Sequence, residues 1–123
     1  MSHRKRNSVQ PFRFGGLWIS ELTPAGLERA SVAEVSVPPL ESHARARSTR
    51  CEKLYVGLEG RVAFTLGERS IELAAGDTLA VPAGTWFAYE NRGDAAARML
   101  LVHVPPFDPD AEEFAPADAP GSE

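Results

Sequence analysis

An all-β fold, a barrel or sandwich built from one domain, is the class this sequence predicts, and three observations predict it. Short runs rich in Val, Ile, Thr, Tyr, Phe and Trp recur between residues 12 and 104, and Gly, Pro, Asn or Asp separates them every eight to twelve residues. The hydrophobic share, 43% of 123 residues, suits one packed core rather than a disordered chain. Helical pattern is confined to a short turn between Thr23 and Glu28.

In chain order, residues 12–14 and 17–20 read as an opening strand interrupted at Gly15-Gly16. Residues 31–37 form a second run, ended by Pro38-Pro39, since proline cannot donate to a ladder. The segment HARARSTR, residues 43–50, fits either an extended strand or a solvated loop. Strands follow at 52–56 and 60–66, then a turn at Gly67-Glu68 and a strand at 70–73. Gly76-Asp77 turns into residues 78–81, and Pro82 stops that run. Gly84 permits a tight reversal into residues 86–90, before Asn91-Arg92-Gly93-Asp94 turns again. Residues 96–104 close the series before Pro105-Pro106.

The spacing from Gly76 to Asn91 is more specific than a generic hairpin. A Gly, five residues, Pro82-Ala83-Gly84, two residues, Phe87, three residues and Asn91 together resemble the second conserved motif of the cupin family. Upstream, Glu52, Tyr55-Val56 and Gly60 resemble the closing half of the first cupin motif. The resemblance covers about residues 32–107. It implies a single cupin-type β-barrel, a double-stranded β-helix or jelly roll, usually paired into a homodimer through edge strands, with Phe12 to Ile19 available to cover such an edge.

The resemblance also exposes departures. The position of Phe87 is a metal-binding His in the family, and a phenyl ring has no lone pair for a cation. Anchoring on Tyr55-Val56 puts Glu52 at the ligand Glu, whereas anchoring on Gly60 puts Lys53 there. Period-2 alternation favours Glu52, because Leu54 and Val56 then share its face and make the more apolar interior, with a bulge at Gly57 absorbing one extra residue. The family's His-x-His then falls on Arg45 and Arg47, with His43 two residues further back. Guanidinium stays protonated and cannot be a ligand, so no metal and no other cofactor is expected, the alternative being a first-row metal held by Glu52 with His43 or His103.

Two arginines aimed into a barrel would need a negative partner, and a planar guanidinium suits a carboxylate, enolate or phosphate. The expected ligand is therefore a small, partly apolar organic acid held by Arg45 and Arg47 and walled by Leu54, Val56, Phe64 and Phe87. The alternative leaves both arginines in water. Glu52, Tyr89, His43 and His103 are the candidate acid–base groups, although aromatic and histidine side chains in such strands also serve as plain core.

Charge and composition bound the rest. Residues 1–11 form a basic tail, 12–107 the barrel, and 108–123 an acidic, Pro- and Ala-rich tail expected to be disordered. The basic head is not continued by a basic stripe with interleaved aromatics, so no nucleic-acid partner is expected. No run approaches the roughly eighteen apolar residues of a membrane span, MSHRKRN has no apolar signal core, and the lone Cys51 has no disulfide partner, so a cytoplasmic location is expected. Two functions remain open: a metal-independent enzyme for acid–base isomerisation, dehydration or cyclisation in small-molecule or natural-product biosynthesis, and a non-catalytic binding or sensing barrel.

Overall fold

The computed structural model describes residues 1–116, in which two antiparallel sheets pack face to face. The strands are β1 (Phe12–Phe14), β2 (Leu17–Glu21), β3 (Ser31–Val37), β4 (Ser42–Ser48), β5 (Glu52–Glu59) and β6 (Arg61–Leu66). They continue as β7 (Arg69–Ala74), β8 (Thr78–Val81), β9 (Phe87–Glu90), β10 (Ala97–Val104) and β11 (Glu112–Phe114). One sheet runs β1-β2-β3-β10-β5-β8 and the other β11-β4-β9-β6-β7. This is the jelly-roll arrangement that the resemblance implies, open at its ends rather than strictly closed.

Period-2 alternation sends one side chain in two between the sheets, and there Val35, Val37, Val62, Leu73, Val81 and Met99 form the aliphatic core. Tyr55, Phe64, Phe87 and Tyr89 add an aromatic layer, with Tyr55–Phe64 and Phe64–Tyr89 ring centroids 4.9 Å apart. Buried Asn91 ties the turn after β9 by donating to the Val37 and Ala95 carbonyls while accepting from the Gly93 amide. Gly57 is required by close approach: a Cβ there would overlap the Ala74 carbonyl oxygen, where β5 meets the end of β7.

Three expectations change. No helix forms over 23–28; a turn closes there from the Leu27 amide to the Pro24 carbonyl. The expected acidic tail is structured through residue 116, because β11 pairs with β4 and seats Ala111 in the core, while residues 117–123 lie outside the described part. The basic head is also engaged, with Arg6 on Glu34 at 3.4 Å and Arg4 within 3.5 Å of the Glu21 carbonyl. Among the described residues no helix is long and apolar enough to cross a membrane.

Candidate functional site

Two bulges decide which side chains reach the interior. On β4, His43 pairs with Tyr89 but Ala46 pairs with Phe87, so β4 carries one residue more than β9 between these points. His43 faces inward before the bulge, and Ala46 and Ser48 face inward after it. Arg45 and Arg47 are thereby turned to the outer surface, where both stack on Trp86, with guanidinium carbons 5.5 and 4.6 Å from the ring centroid. Arg47 also meets Glu113 at 2.7 Å. On β5 the extra residue is Leu58, skipped where Arg98 pairs with Glu59 and Met99 with Gly57. Before it Cys51, Lys53 and Tyr55 face in, so Glu52 and Leu54 are exposed and Val56 stands half-buried on the outer face.

The faces expected for Glu52, Leu54, Val56, Arg45 and Arg47 are therefore reversed, and the physical reason is aromatic burial. Tyr55 fills more interior volume than Leu54 or Val56, and it fits only if its odd-numbered neighbours enter with it. The cost falls on Lys53, which is 4% exposed and is met by Glu112 at 2.7 Å from the end of the chain. The Lys53 ammonium also lies 4.7 Å from the Phe87 ring centroid.

These residues surround a cavity of about 380 Å³ between the β1–β2 hairpin, the ends of β3, β5 and β10, and strand β11. The volume suits a small organic molecule. Its polar lining residues are Glu21, Ser31, His43, Lys53, Tyr55, Tyr89, His103 and Glu112, and Phe12, Phe14, Phe107 and Phe114 rim it. Of the residues expected in a pocket, His43, Tyr89 and His103 line it. Phe87 lies behind His43 at 5.2 Å, and Phe64 lies behind the two tyrosines. Lys53, Tyr55 and Glu112 are the residues that sequence reasoning missed. Anchoring at Gly60 would have found Lys53; Glu112 carried no local signal, because its partner lies 59 residues away.

His43 Nδ1 lies 2.6 Å from the Ala44 carbonyl oxygen. A carbonyl only accepts, so Nδ1 carries the proton and Nε2 keeps its lone pair. Burial is the main force pushing this imidazole down to about 4, against the Ala44 contact and helped by Lys53. Burial and Lys53 likewise push His103 down to about 4. Burial raises Tyr89 above its ordinary value, and burial followed by the charges of Tyr89 and Glu112 raises Tyr55. The site thus holds two neutral imidazoles and two neutral phenols at ordinary pH.

The usual cupin metal does not fit these donors. Phe87 presents carbon, Lys53 presents an ammonium, and Glu52 points away from both interior histidines. Among the described residues no group of three or more His, Cys, Asp or Glu is placed to hold a metal ion.

A profile of the cupin domain matches residues 33–103, and the chain belongs to that family. It is 32% identical over 79 residues to an uncharacterized protein of Methanocaldococcus jannaschii, a match covering 64% of this chain and 63% of that protein's length. Among solved structures it resembles Streptomyces Pac13 with uridine at a TM-score of 0.78 and 20% identity, over 91% of this chain and 88% of that one. Pac13 is described as a nucleoside dehydratase, and its uridine-bound structures include one histidine-to-glutamine variant and two tyrosine-to-phenylalanine variants. KdgF from a Halomonas species aligns at a TM-score of 0.79 and 13% identity, over 89% and 97% of the two chains. At these identities the likeness shows the shared barrel.

Proposed function

We propose that this cupin binds a small, flat, hydroxylated molecule in the cavity and removes water from it without a metal, with His43 as the base. The observation that carries the reading is the His43 imidazole: its Nδ1 is fixed on Ala44 at 2.6 Å, its ring lies 5.1 Å from Tyr89, and its remaining nitrogen has a free lone pair in a largely apolar chamber. The His and two Tyr altered in the Pac13 variants are the residue types that meet here as His43, Tyr55 and Tyr89.

The chemistry balances with these groups. His43 Nε2 takes a proton from a carbon beside a carbonyl, and the electron pair becomes a carbon–carbon double bond as the β-hydroxyl leaves. The proton then joins the departing oxygen as water, returning His43 to its neutral form. The neutral Tyr55 and Tyr89 hydroxyls donate to the carbonyl oxygen as negative charge develops on it, with the Lys53 charge close by.

The expected acidic ligand rested on Arg45 and Arg47 facing the chamber. With both outside, the cation that reaches it is Lys53, already matched by Glu112, so the ligand proposed here is uncharged. The test is elimination from β-hydroxy aldehydes and ketones, followed by absorbance of the conjugated product. His43→Gln should lower turnover by about 10²–10⁴-fold while leaving ligand affinity within a few-fold. Undiminished turnover in that variant, or wild-type binding with no elimination from any of these compounds, would favour the non-catalytic binding barrel.

We also propose a homodimer, supported by the outer edge of β1, which pairs with no strand among the described residues, and by the exposed rings of Phe12 and Phe14 on that strand. Light scattering should give twice the 13.3 kDa chain mass; a mass of one chain at micromolar concentration would overturn it.

A further inference from the structure

Beyond His43 and the two tyrosines, the cavity has a second polar pole that the elimination does not use. His103 Nε2 and Glu112 Oε2 are buried side-chain atoms without a hydrogen-bond partner among the described residues. Both residues line the cavity, as does Lys53. His103 stands opposite Lys53 in the β10–β5 ladder, and the other oxygen of Glu112 holds the Lys53 ammonium at 2.7 Å. Leaving such atoms unmet carries a desolvation cost that a ligand with matching groups would remove.

Their chemistry defines that ligand. Glu112 Oε2, half of an ion-paired carboxylate, accepts and needs a donor. His103 is a neutral imidazole, able to donate from Nε2. An N–H beside a C=O satisfies both at once: the ligand N–H donates to Glu112 Oε2, and His103 Nε2–H donates to the ligand carbonyl. A diol offers hydroxyls too, but Ser31, opposite His103, already accepts from the Phe107 amide, and the neighbouring Ala33, Val35, Leu101 and Phe107 present carbon, with the Phe107 ring centroid 5.0 Å from that of His103. A wall of that kind suits a flat ring whose polarity is confined to one edge.

We propose that His103 and Glu112 form a specificity pole that reads the adjacent N–H and C=O of a flat lactam or imide ring, a reading that rests on the cavity being the ligand site but not on His43 being a base. Calorimetric titration of the full chain tests it with two pairs of probes: 2-pyridone against N-methyl-2-pyridone, and uridine against 3-methyluridine. The N–H member of at least one pair should bind ten-fold or more tightly than its methylated partner. Glu112→Gln and His103→Phe should each bring that ratio to within about two-fold, and His43→Gln should leave it intact. Should Glu112→Gln fail to fold, His103→Phe, which keeps the ion pair and the ring shape, decides alone. Equal binding within both pairs, no binding by any of the four, or a ratio unchanged in a folded His103→Phe would overturn the proposal. A preserved N–H preference without any elimination would instead retain this pole and reject the dehydratase reading.

Discussion

Lys53 Nζ lies 2.7 Å from Glu112 Oε1, with the two side chains 4% and 12% exposed, so the floor of the cavity is an ion pair joining mid-chain strand β5 to the terminal strand β11. Removing one partner of such a pair strands a buried charge, whereas replacing both by apolar groups removes the desolvation cost along with the attraction.

Glu112→Ala should therefore cost about 3–5 kcal/mol in urea unfolding. The double variant Lys53→Met, Glu112→Leu should recover most of that loss. Additive losses in the double variant would show that the two side chains act independently.

Tyr55 and Tyr89 yield an unusual expectation, because neither hydroxyl has a hydrogen-bond partner among the described residues although both side chains are almost fully buried. Phenylalanine at either position keeps the ring packing with Phe64 and deletes only an idle hydroxyl. Stability should stay within about 1 kcal/mol of wild type or rise slightly. If the hydroxyls bind the developing charge, elimination should fall by about 10²-fold in the same proteins. A large loss of stability would mean that each hydroxyl serves the fold.

The barrel was legible in the sequence because its signals are local. Gly and Pro punctuation placed strands at 31–37 and 78–81 as they occur and most others within a few residues, but it left β4 open between strand and loop and missed β11. The site was less legible because one unforeseen bulge on β4 and the choice of inward face on β5 control it. Strict alternation carries 43, 45 and 47 to one face, yet the extra residue between His43 and Ala46 reverses the sense of the strand. On β5 the apolar appeal of Leu54 and Val56 lost to Tyr55, whose ring meets Phe64 and Tyr89 from the opposite sheet. Those contacts, like the one from Lys53 to Glu112, lie far apart in the chain.

The two cavity histidines should make the fold acid-sensitive in a defined window. Each titrates near 4 in the folded protein against an ordinary value of 6.5, so the unfolded chain takes up their protons first. Their contribution is complete above about pH 6.5, is lost as pH falls toward 4, and changes no further below that. The loss should be on the order of 2 kcal/mol per histidine by pH 4.5. Lys53 faces both rings and opposes their protonation. Comparing wild type with His43→Gln and His103→Gln isolates these groups from the carboxylates that titrate in the same range. Unfolding curves that steepen equally in all three proteins between pH 6.5 and 4.5 would count against the buried neutral imidazoles.

Arg47 should prove dispensable for ligand binding, contrary to what its position in the sequence suggests. Its guanidinium lies on the outer face, 4.6 Å from the Trp86 ring centroid and 2.7 Å from a Glu113 carboxylate that is itself 47% exposed. Exposed pairs of this kind contribute about 0–1 kcal/mol, and a surface cation over an aromatic ring adds a similar amount. Arg47→Ala should cost about 1 kcal/mol of stability, with the loss shrinking at high salt because the charges are screened. Affinity for neutral and acidic ligands should be unchanged. A selective loss of carboxylate or phosphate binding in this variant would return the arginine to the chamber and revive an acidic substrate.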